Sequence, residues 1–427
     1  MTSQNPPDAV SVLMVAIGGY GFHYLKTILD EFDPLDVRLA GVVDPFAERS
    51  GLWPTVARLR VPVSATVEEF YAAGHRADLA VVASPIHHHV PQSSSALANL
   101  SHVLCDKPLG ATIQEADELM GLRDRSHRSV TIGYQWSFSS AILSLKRDIM
   151  AGRFGRPRRL ATLCLWPRDA SYYRRNDWAG RKRDAVTGGW VLDGPANNAM
   201  AHFLHNLFFV LGRQLHLSAL PREVRAERYR AYPVETDDTV ACRAVTDEGI
   251  ELLFYASHAT AENAGPLFRF EFDDAVVTFG DPKAGIVAQD SGGRRVAYGS
   301  PDDTPQFRKL AAAVDAARTG AAVVCGPEAA RSQTLCVNAS YESVPEAARF
   351  PEDLLRRAGD PERLFVAGLD EILLRCYRHA TLPSEEGVGW ATPGSKVSLT
   401  DYRWFPGGTP PPDGTRRPTP HSTGCTG

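Results

Sequence analysis

The chain has 427 residues, with 46 basic and 50 acidic side chains and a formal net charge of −4. The two signs of charge are well mixed, which provides no basic face for nucleic acid, and no apolar run approaches the roughly 20 residues that span a bilayer. The N-terminus lacks a signal-peptide pattern and the seven cysteines lack metal-ligand spacing, so we expect a cytoplasmic, two-domain protein with no structural metal.

Short apolar runs alternate with amphipathic segments through the first third of the chain. This alternation is typical of βαβ units, in which a parallel sheet is covered by helices on both faces. Ligands of such sheets bind at the carboxyl ends of the strands. We predict strands at residues 12–17, 37–44, 79–83 and 102–105, and helices at residues 24–32 and 90–100.

A glycine-rich turn follows the first predicted strand and reads Ala16-Ile17-Gly18-Gly19-Tyr20-Gly21. It matches the G-x-G-x-x-G pattern of dinucleotide-binding proteins, with Ala16 in place of the first glycine. Gly18 would let the backbone approach a pyrophosphate, and Gly21 would let the helix pack close to the strand. The free N–H groups at the start of that helix would bind the phosphates. An ordinary glycine turn is the alternative.

Asp44 lies at the end of the second predicted strand, 23 residues after Gly21. A carboxylate at this place accepts hydrogen bonds from the adenosine ribose hydroxyls and repels a 2′-phosphate. The sequence therefore favours NAD over NADP, although the nearby Arg49 keeps NADP as an alternative. The alternative is that Asp44 has only a structural role, as a turn residue before Pro45.

Lys107 follows the predicted strand at 102–105, in Asp106-Lys107-Pro108, and an earlier strand ends at Ser84-Pro85. A lysine at a strand end, beside the expected dinucleotide, indicates an enzyme that acts on a carbonyl or an alcohol. A solvated surface lysine is the commoner situation, and the order of the surrounding elements is what favours the catalytic interpretation.

Taken in order, these motifs resemble the Gfo/Idh/MocA family of NAD(P)-dependent oxidoreductases. The resemblance implies a Rossmann domain followed by an α+β domain with a large, mostly antiparallel open-faced sheet, which often buries a subunit interface. It therefore also implies a homo-oligomer. Asp106 replaces the usual glutamate of the family. The family pattern adds further residues to the expected cofactor site, namely Ser84, Pro85, His89, Asp106 and Lys107.

The pattern changes after residue 130, where apolar strands predict an antiparallel sheet. We expect a Rossmann domain at 10–130, a substrate-binding and oligomerisation domain at 131–405 and a mobile tail at 406–427, which is rich in Pro, Gly and Thr. We predict strands at 158–166, 239–246, 250–257, 267–272 and 275–279, and helices at 305–318, 328–341 and 361–379.

The segment from Gly188 to His202 departs from the family pattern of Asp-x-Gly-x-His. His202 stands ten residues before Gly212, as the family histidine does, but Asn198 occupies the place of the aspartate and Asp193 lies five residues earlier. The resemblance makes His202 the first candidate for the acid/base, because imidazole titrates near neutrality. Asp193 is the reserve carboxylate, and Asn198 is expected to orient groups at the substrate.

Two other histidine groups have weaker claims to a function. His205 shares an apolar helix with His202, where a histidine is often a core residue. The run His87-His88-His89 suggests a metal, but neighbouring positions rarely converge on one ion, so we predict no metal site.

An aromatic and basic loop at 172–181 precedes this segment. Tyr173 and Trp178 could stack on a sugar face, and Arg175 could bind a carboxylate or a phosphate. An ordered surface loop or a subunit contact is the alternative. In the matching region of the family substrate residues are common, so we expect these three residues and Tyr134 to contact substrate, with Lys107, Asn198 and His202.

The sequence therefore predicts an NAD(P)-dependent oxidoreductase that moves hydride between nicotinamide and a carbinol or carbonyl carbon of a sugar, a cyclitol or a related polyhydroxylated substrate. One alternative uses tightly bound NAD for redox-neutral elimination or epimerisation. A second alternative is a noncatalytic NAD-binding sensor or partner subunit. No nucleic-acid or membrane partner is expected.

Overall fold

A computed structural model describes residues 9–406 of the chain. Its N-terminal sheet has six parallel strands in the order β3-β2-β1-β4-β5-β6. The central strands are buried on both faces, which explains their continuous apolar sequences. The strands are β1 (Val10–Val15), β2 (Val37–Val43), β3 (Val63–Ser64), β4 (Leu79–Val82), β5 (His102–Cys105) and β6 (Val130–Ile132).

The strand order reverses between β1 and β4, and this is the place where doubly wound sheets bind ligands. The turn after β1 and the loop after β4 both open there. The helices of this half are α1 (Gly19–Glu31), α2 (Trp53–Leu59), α3 (Val67–Ala72), α4 (Ile86–Ala98), α5 (Ile113–Ser126) and α6 (Ser140–Met150).

A second sheet of ten strands makes up the other half of the molecule. Its path is β14-β13-β12-β11-β7-β10-β9-β8-β15, with β18 also paired to β8. Neighbours are antiparallel except for β7 with β10 and β8 with β15. The strands are β7 (Pro157–Leu165), β8 (Pro221–Arg230), β9 (Thr239–Thr246), β10 (Glu251–Ser257), β11 (Ala264–Phe272), β12 (Ala275–Phe279), β13 (Ile286–Asp290), β14 (Arg295–Gly299), β15 (Ala348–Arg349) and β18 (Lys396–Ser398), while β16 (Leu355–Ala358) and β17 (Arg363–Val366) form a separate hairpin.

Helices cover both faces of the large sheet. The helices of this half are α7 (Ala170–Tyr173), α8 (Ala201–Phe209), α9 (Arg308–Thr319), α10 (Pro327–Ser343) and α11 (Leu369–His379). Helices α8 and α10 pack on one face of the large sheet. They share a single apolar core with that face and with the N-terminal domain. On the opposite face, Leu163 and Tyr255 of the sheet pack with Leu369 and Leu373 of α11. Helix α11 therefore covers only part of this face, since Arg269 of β11, Thr278 of β12 and Gln289 of β13 lie on the same face and are exposed.

Helix α9 returns from the second half of the chain to the N-terminal sheet. Its apolar residues Leu310, Ala313 and Val314 pack in the same core as Val12 of β1 and Leu104 of β5. The parallel sheet is thus supported by a helix that lies more than 170 residues beyond its last strand. This arrangement carries the neighbouring residue Lys309 into the region where β5 ends.

The predicted fold class is confirmed, and most predicted elements exist with shifted ends. The helix predicted at 361–379 was wrong in its first part, because Arg363–Val366 forms a strand paired with Leu355–Ala358 and the helix begins at Leu369. The tail predicted at 406–427 lies outside the described residues from residue 407 onward.

Candidate active site

The glycine turn lies at the N-terminus of α1 and has the features of a phosphate-binding turn. Gly18 is the N-cap residue, makes no side-chain cap hydrogen bond, and is followed by no acidic residue in the first turn. A Cβ at Gly18 or Gly19 would meet nothing within 4 Å, so the turn is open to a ligand. A Cβ at Gly21 would lie 2.1 Å from the backbone oxygen of Ala16, so the helix can approach the strand only with glycine there. The residues present therefore fit a dinucleotide.

Ala16, which replaces the first glycine of the pattern, has a left-handed backbone with φ of 65°. A side chain in this region is strained by about 1–2 kcal/mol. Ala16→Gly should relieve that strain, offset partly by the larger entropy of glycine in the unfolded chain. We expect the free energy of unfolding to rise by up to about 1 kcal/mol in urea titrations. Ala57→Gly, in helix α2, is the control and should lower it by about 1 kcal/mol. A loss of stability in Ala16→Gly would contradict this account.

Asp44 follows β2 and faces the same turn. Its Oδ2 accepts a hydrogen bond from the backbone N–H of Ile17 at 2.9 Å, and its Oδ1 accepts one from the N–H of Phe46 at 2.8 Å. Each carboxylate oxygen keeps a lone pair for a further donor. The structural and the cofactor interpretations of Asp44 are therefore compatible, since the same carboxylate that fixes the turn can accept ribose hydroxyls.

A chain of hydrogen bonds joins Lys107 to the altered segment before α8. Nζ of Lys107 donates to the backbone oxygen of Asn198 at 2.8 Å and to its Oδ1 at 3.1 Å. Nδ2 of Asn198 donates to Oδ1 of Asp193 at 2.6 Å. Oδ2 of Asp193 accepts from Arg175 at 3.0 Å and from the backbone of Gly180 at 2.7 Å. The sequence left open whether Asp193 or Asn198 works beside His202, and the structure brings both into one network with Lys107.

Buried polar groups hold the turn that carries Asp193 and Asn198. A Cβ at Gly194 would lie 3.1 Å from both carboxylate oxygens of Asp237, so the turn rests against that carboxylate. Asp237 is paired in turn with the buried Arg228. Asn197 donates to the backbone oxygen of Val191 at 3.0 Å. The turn therefore presents Asn198 to Lys107 from a rigid support, which is what a preorganised site requires.

The electrostatics of the site separate the two proposed proton carriers. Burial lowers the pKa of Lys107 to about 8, and the charges of Lys309 and Arg175 act in the same direction against those of Asp106 and Asp193. Burial, followed by the charge of Lys107, lowers the pKa of His202 well below its usual range. His202 is consequently neutral at physiological pH, whereas Lys107 is the group that titrates close to it.

Lys309 is a site residue that the sequence reasoning missed. Its Nζ donates to Oδ1 of Asp106 at 3.0 Å, to the backbone oxygen of Gly133 at 3.1 Å and to the hydroxyl of Tyr20 at 3.3 Å. Burial alone would raise the pKa of Asp106, but the charges of Lys309 and Lys107 outweigh it and lower that pKa. Lys309 thus links the glycine turn, through Tyr20, to the residue before Lys107. A lysine on an otherwise apolar helix face was the available signal.

His89, predicted at the cofactor together with Ser84, joins the loop after β4 to the loop after β5. One ring nitrogen of His89 lies 2.7 Å from the backbone oxygen of Pro108, and the other lies 2.8 Å from that of Ser84. Pro85 is the N-cap residue of α4. His89 is buried, so its contacts support the loop that carries Lys107 rather than reach outward to a ligand.

One predicted substrate residue differs from expectation because it is packed in the interior. Tyr134 is 1% exposed and stacks on His205 with ring centroids 4.0 Å apart, while its ring is perpendicular to that of His202. We therefore withdraw Tyr134 as a substrate contact. Tyr173 packs against Tyr232 at a small apolar cluster but is only partly buried, so its contact with substrate stays a prediction. Trp178 remains, with its ring centroid 5.0 Å from the guanidinium carbon of Arg175.

His205 matches the alternative interpretation of a core histidine. It is 1% exposed, and its Nε2 lies 2.9 Å from the hydroxyl of Ser137. Burial lowers its pKa to about 3.

Within residues 9–406 no group of three or more His, Cys, Asp and Glu side chains could hold a metal ion. No helix in that part of the chain is long and apolar enough to cross a membrane.

The fold and the open glycine turn define an NAD-binding Rossmann protein, and comparison with known proteins agrees. Residues 10–134 match the model of the Gfo/Idh/MocA family, an oxidoreductase family with an NAD-binding Rossmann fold. The chain is 31% identical over 119 residues to the rhizopine catabolism protein MocA of Rhizobium meliloti and 29% identical over 154 residues to an uncharacterized oxidoreductase of Schizosaccharomyces pombe. The resemblance seen in the sequence is thus confirmed over residues 10–134, the part of the chain that matches the family model.

These two matches cover only part of each protein. They span 28% and 35% of this chain, and 36% and 39% of the lengths of the relatives. Solved structures match over a much larger share. A UDP-N-acetylglucosamine 3-dehydrogenase of Acidithiobacillus ferrooxidans has a TM-score of 0.60 at 22% identity, over 78% of this chain and 96% of that one. The WlbA dehydrogenase of Bordetella pertussis has a TM-score of 0.63 at 17% identity, over 79% and 97%. Both domains therefore share their fold with these proteins.

Proposed function

We propose that this protein is an NAD-dependent oxidoreductase that oxidises a carbinol carbon, or reduces the corresponding carbonyl, of a sugar, a cyclitol or a related polyhydroxylated compound. The observation that carries the proposal is the position of Lys107. It follows a central strand of the NAD-binding sheet, its pKa is lowered to about 8 by burial, and it donates to Asn198. A partly buried lysine of this kind, in a dinucleotide-binding fold, is suited to act on the oxygen of the substrate.

Bound NAD would supply the acceptor or the donor of hydride. The residues of this chain would manage the oxygen and its proton. Lys107 would accept the hydroxyl proton as the carbinol is oxidised, or return it in the reverse direction. His202, neutral at physiological pH, would hydrogen-bond the same oxygen and share the proton relay. Asn198 would orient Lys107, and Asp193 would fix Asn198 while its charge is compensated by Arg175.

Two structural neighbours support the class of substrate. One is a UDP-N-acetylglucosamine 3-dehydrogenase, and the WlbA dehydrogenase is described in complex with NADH and UDP-GlcNAcA. Both act on or bind sugar nucleotides, and Trp178 beside Arg175 provides this chain with an aromatic surface suited to a sugar ring. The network around Lys107 argues against a noncatalytic sensor, which would have no use for a lysine oriented in this way.

We also propose that NAD(H) binds more tightly than NADP(H), because Asp44 would accept the ribose hydroxyls and repel a 2′-phosphate. Asp44→Ser should narrow the difference by about 1–3 kcal/mol. Serine can still accept the hydrogen bond from Phe46 but loses the one from Ile17, so the melting temperature of the variant is measured as a control for folding. Titration of both cofactors by calorimetry checks this expectation. A wild-type preference for NADP(H) would refute the assignment of Asp44.

The reaction is tested by an unbiased panel of sugars, cyclitols and sugar derivatives, with NADH absorbance and mass detection of products recorded together. We expect stoichiometric NADH with a ketone or lactone product. Product formed without NADH would favour the redox-neutral alternative, in which tightly bound NAD is reduced and reoxidised within one turnover. Tight NADH binding with no product from any member of the panel would favour the sensor alternative.

We propose that self-association, expected from the family, uses a surface other than the part of the large sheet covered by α11. Leu369, Leu373 and Cys376 already occupy that part. Light scattering coupled to size exclusion, on the protein and on Leu373→Asp, checks this. In Leu373→Asp we expect helix α11 to detach from the sheet. The molar mass of the protein that otherwise stays folded should remain that of the wild type.

A further inference from the structure

Two arginines flank one aromatic ring beside the Lys107 network. The guanidinium carbon of Arg175 lies 3.9 Å from the centroid of the Tyr172 ring, and that of Arg168 lies 5.0 Å from the same centroid. Arg168 also lies 6.0 Å from the ring of Trp166. Stacking on aromatic rings holds a guanidinium through its face and leaves its N–H groups, which lie in the plane, available for hydrogen bonds. Two N–H groups of Arg175 already donate, one to the backbone oxygen of Tyr172 and one to Asp193.

The two arginines differ in their ionic partners. Arg175 is paired with Asp193, which joins it to Asn198 and Lys107. Arg168 makes no ion pair with a carboxylate among residues 9–406, and its Nε is buried without a hydrogen-bond partner there. The adjacent carboxylate, that of Asp169, caps the helix Ala170–Tyr173 by accepting from Ser171 and Tyr172. A partly buried guanidinium without a counter-charge is costly, and an anion would remove that cost.

The whole network has an excess of positive charge. Its cations are Lys107, Lys309, Arg168 and Arg175, and its carboxylates are Asp106 and Asp193. His202 adds no charge at physiological pH because burial lowers its pKa well below the usual range. The excess of positive charge, which remains when the carboxylate of Asp169 beside Arg168 is counted, attracts an anion and disfavours a cation. A neutral polyol would leave this charge uncompensated.

We propose that the substrate carries an anionic group, a carboxylate or a phosphate, which Arg168 and Arg175 bind while the carbon to be oxidised lies at Lys107. This inference rests on the proposed function, because it takes the Lys107 network as the site of the reaction. The two guanidinium groups would then set the distance between the anion and the reacting carbon. The chemistry is shared by sugar acids, sugar phosphates and the pyrophosphate of sugar nucleotides.

The first test measures anion binding without catalysis. Inorganic phosphate is titrated into protein saturated with NADH, so that the glycine turn is already occupied, and the ionic strength is kept constant with chloride. We expect phosphate to raise the melting temperature of the wild type, and Arg168→Met to weaken phosphate binding by about tenfold or more. Arg213→Met, which changes an exposed arginine paired with Glu248, should bind phosphate as the wild type does.

Arg168→Lys tests whether the loss of phosphate binding in Arg168→Met comes from a damaged structure instead. It keeps the charge but loses the planar fork, so phosphate binding should be intermediate, with a melting temperature without phosphate close to that of the wild type. Equal phosphate binding by the wild type and Arg168→Met, or no binding by either, overturns the proposal. Arg168 would then be a stacking residue between Trp166 and Tyr172.

The second test compares matched sets of one hexose, its uronic acid, its 6-phosphate and its nucleotide diphosphate derivative, by NADH formation. We expect one anionic member to exceed the neutral hexose in kcat/KM by about tenfold or more, and Arg168→Met to abolish that preference. The preferred member identifies the anion. Neutral hexoses as the best substrates, with the same ranking in Arg168→Met, would overturn the inference and leave the proposed function standing. If phosphate binding depends on Arg168 but no set yields NADH, the proposed function is contradicted while the anion site is supported.

Discussion

Replacing Lys107 with alanine is expected to reduce turnover by roughly 10²- to 10⁴-fold. The substitution removes the group that donates to Asn198 and that is proposed to act on the substrate oxygen. NADH affinity should change far less, because the glycine turn and Asp44 are proposed to bind the other end of the cofactor. Steady-state kinetics and calorimetry measure the two effects. Lys396→Ala, at an exposed lysine on β18, is the control and should behave as the wild type does.

The pH dependence identifies Lys107 more specifically than the loss of rate. Its pKa is lowered to about 8, so above that pH the amine is neutral and can accept a proton, and below it the ammonium can donate one. Oxidation should therefore rise with pH through about 8, and reduction should fall through the same range. His202→Ala should lose turnover by roughly 10²- to 10⁴-fold but keep this inflection, whereas Lys107→Ala should lose it.

The double variant tests whether the two groups serve one step. If Lys107 and His202 act on the same proton transfer, the double alanine variant should lose much less than the product of the single losses. Near-normal turnover in His202→Ala with an inactive Asp193→Ala would move the acid/base role to Asp193. Full activity without Lys107 would refute the mechanism.

Replacing Lys309 with methionine is expected to lower the free energy of unfolding by about 3–5 kcal/mol, because it leaves the buried carboxylate of Asp106 without its ion pair. Lys309 is 1% exposed and Asp106 is 8% exposed. Adding Asp106→Asn removes the orphaned charge, so the double variant should recover much of the loss. Urea unfolding of the wild type and the three variants measures the cycle. A single loss below about 1 kcal/mol, or a double variant less stable than Lys309→Met, would contradict the pairing.

The N-terminal domain could be predicted in detail because its strands are buried on both faces and appear as uninterrupted apolar runs. The strand at His102–Cys105 was predicted at its exact bounds. Strand β8, Pro221–Arg230, escaped prediction because its buried positions include charged residues. Glu227 and Arg228 are both buried, the first bonded to Ser384 and the second paired with Asp237. Hydrophobic periodicity cannot detect a strand whose buried charged side chains are satisfied by polar or ionic partners.

The candidate site was predictable in its residues but not in its connections. The motifs identified Lys107, Asp193, Asn198 and His202, yet their order along the chain did not reveal that Asn198 lies between Lys107 and Asp193. The apolar face of helix α9 could draw attention to Lys309, but its partner could not be predicted because Asp106 is 203 residues away. Contacts of that range depend on how helix α9 returns to the sheet, which no local pattern encodes.

Transfer of deuterium from the substrate carbon to the cofactor is the direct test of net hydride transfer to NAD by this protein. A substrate from the panel, deuterated at its reacting carbinol carbon, is incubated with the enzyme and NAD, and the released cofactor and the product are analysed by mass spectrometry. We expect deuterium in the released NADH, in equal amount to an oxidised product that has lost it. Deuterium retained in a product of unchanged oxidation state, with no labelled NADH released, would contradict net dehydrogenation by this protein.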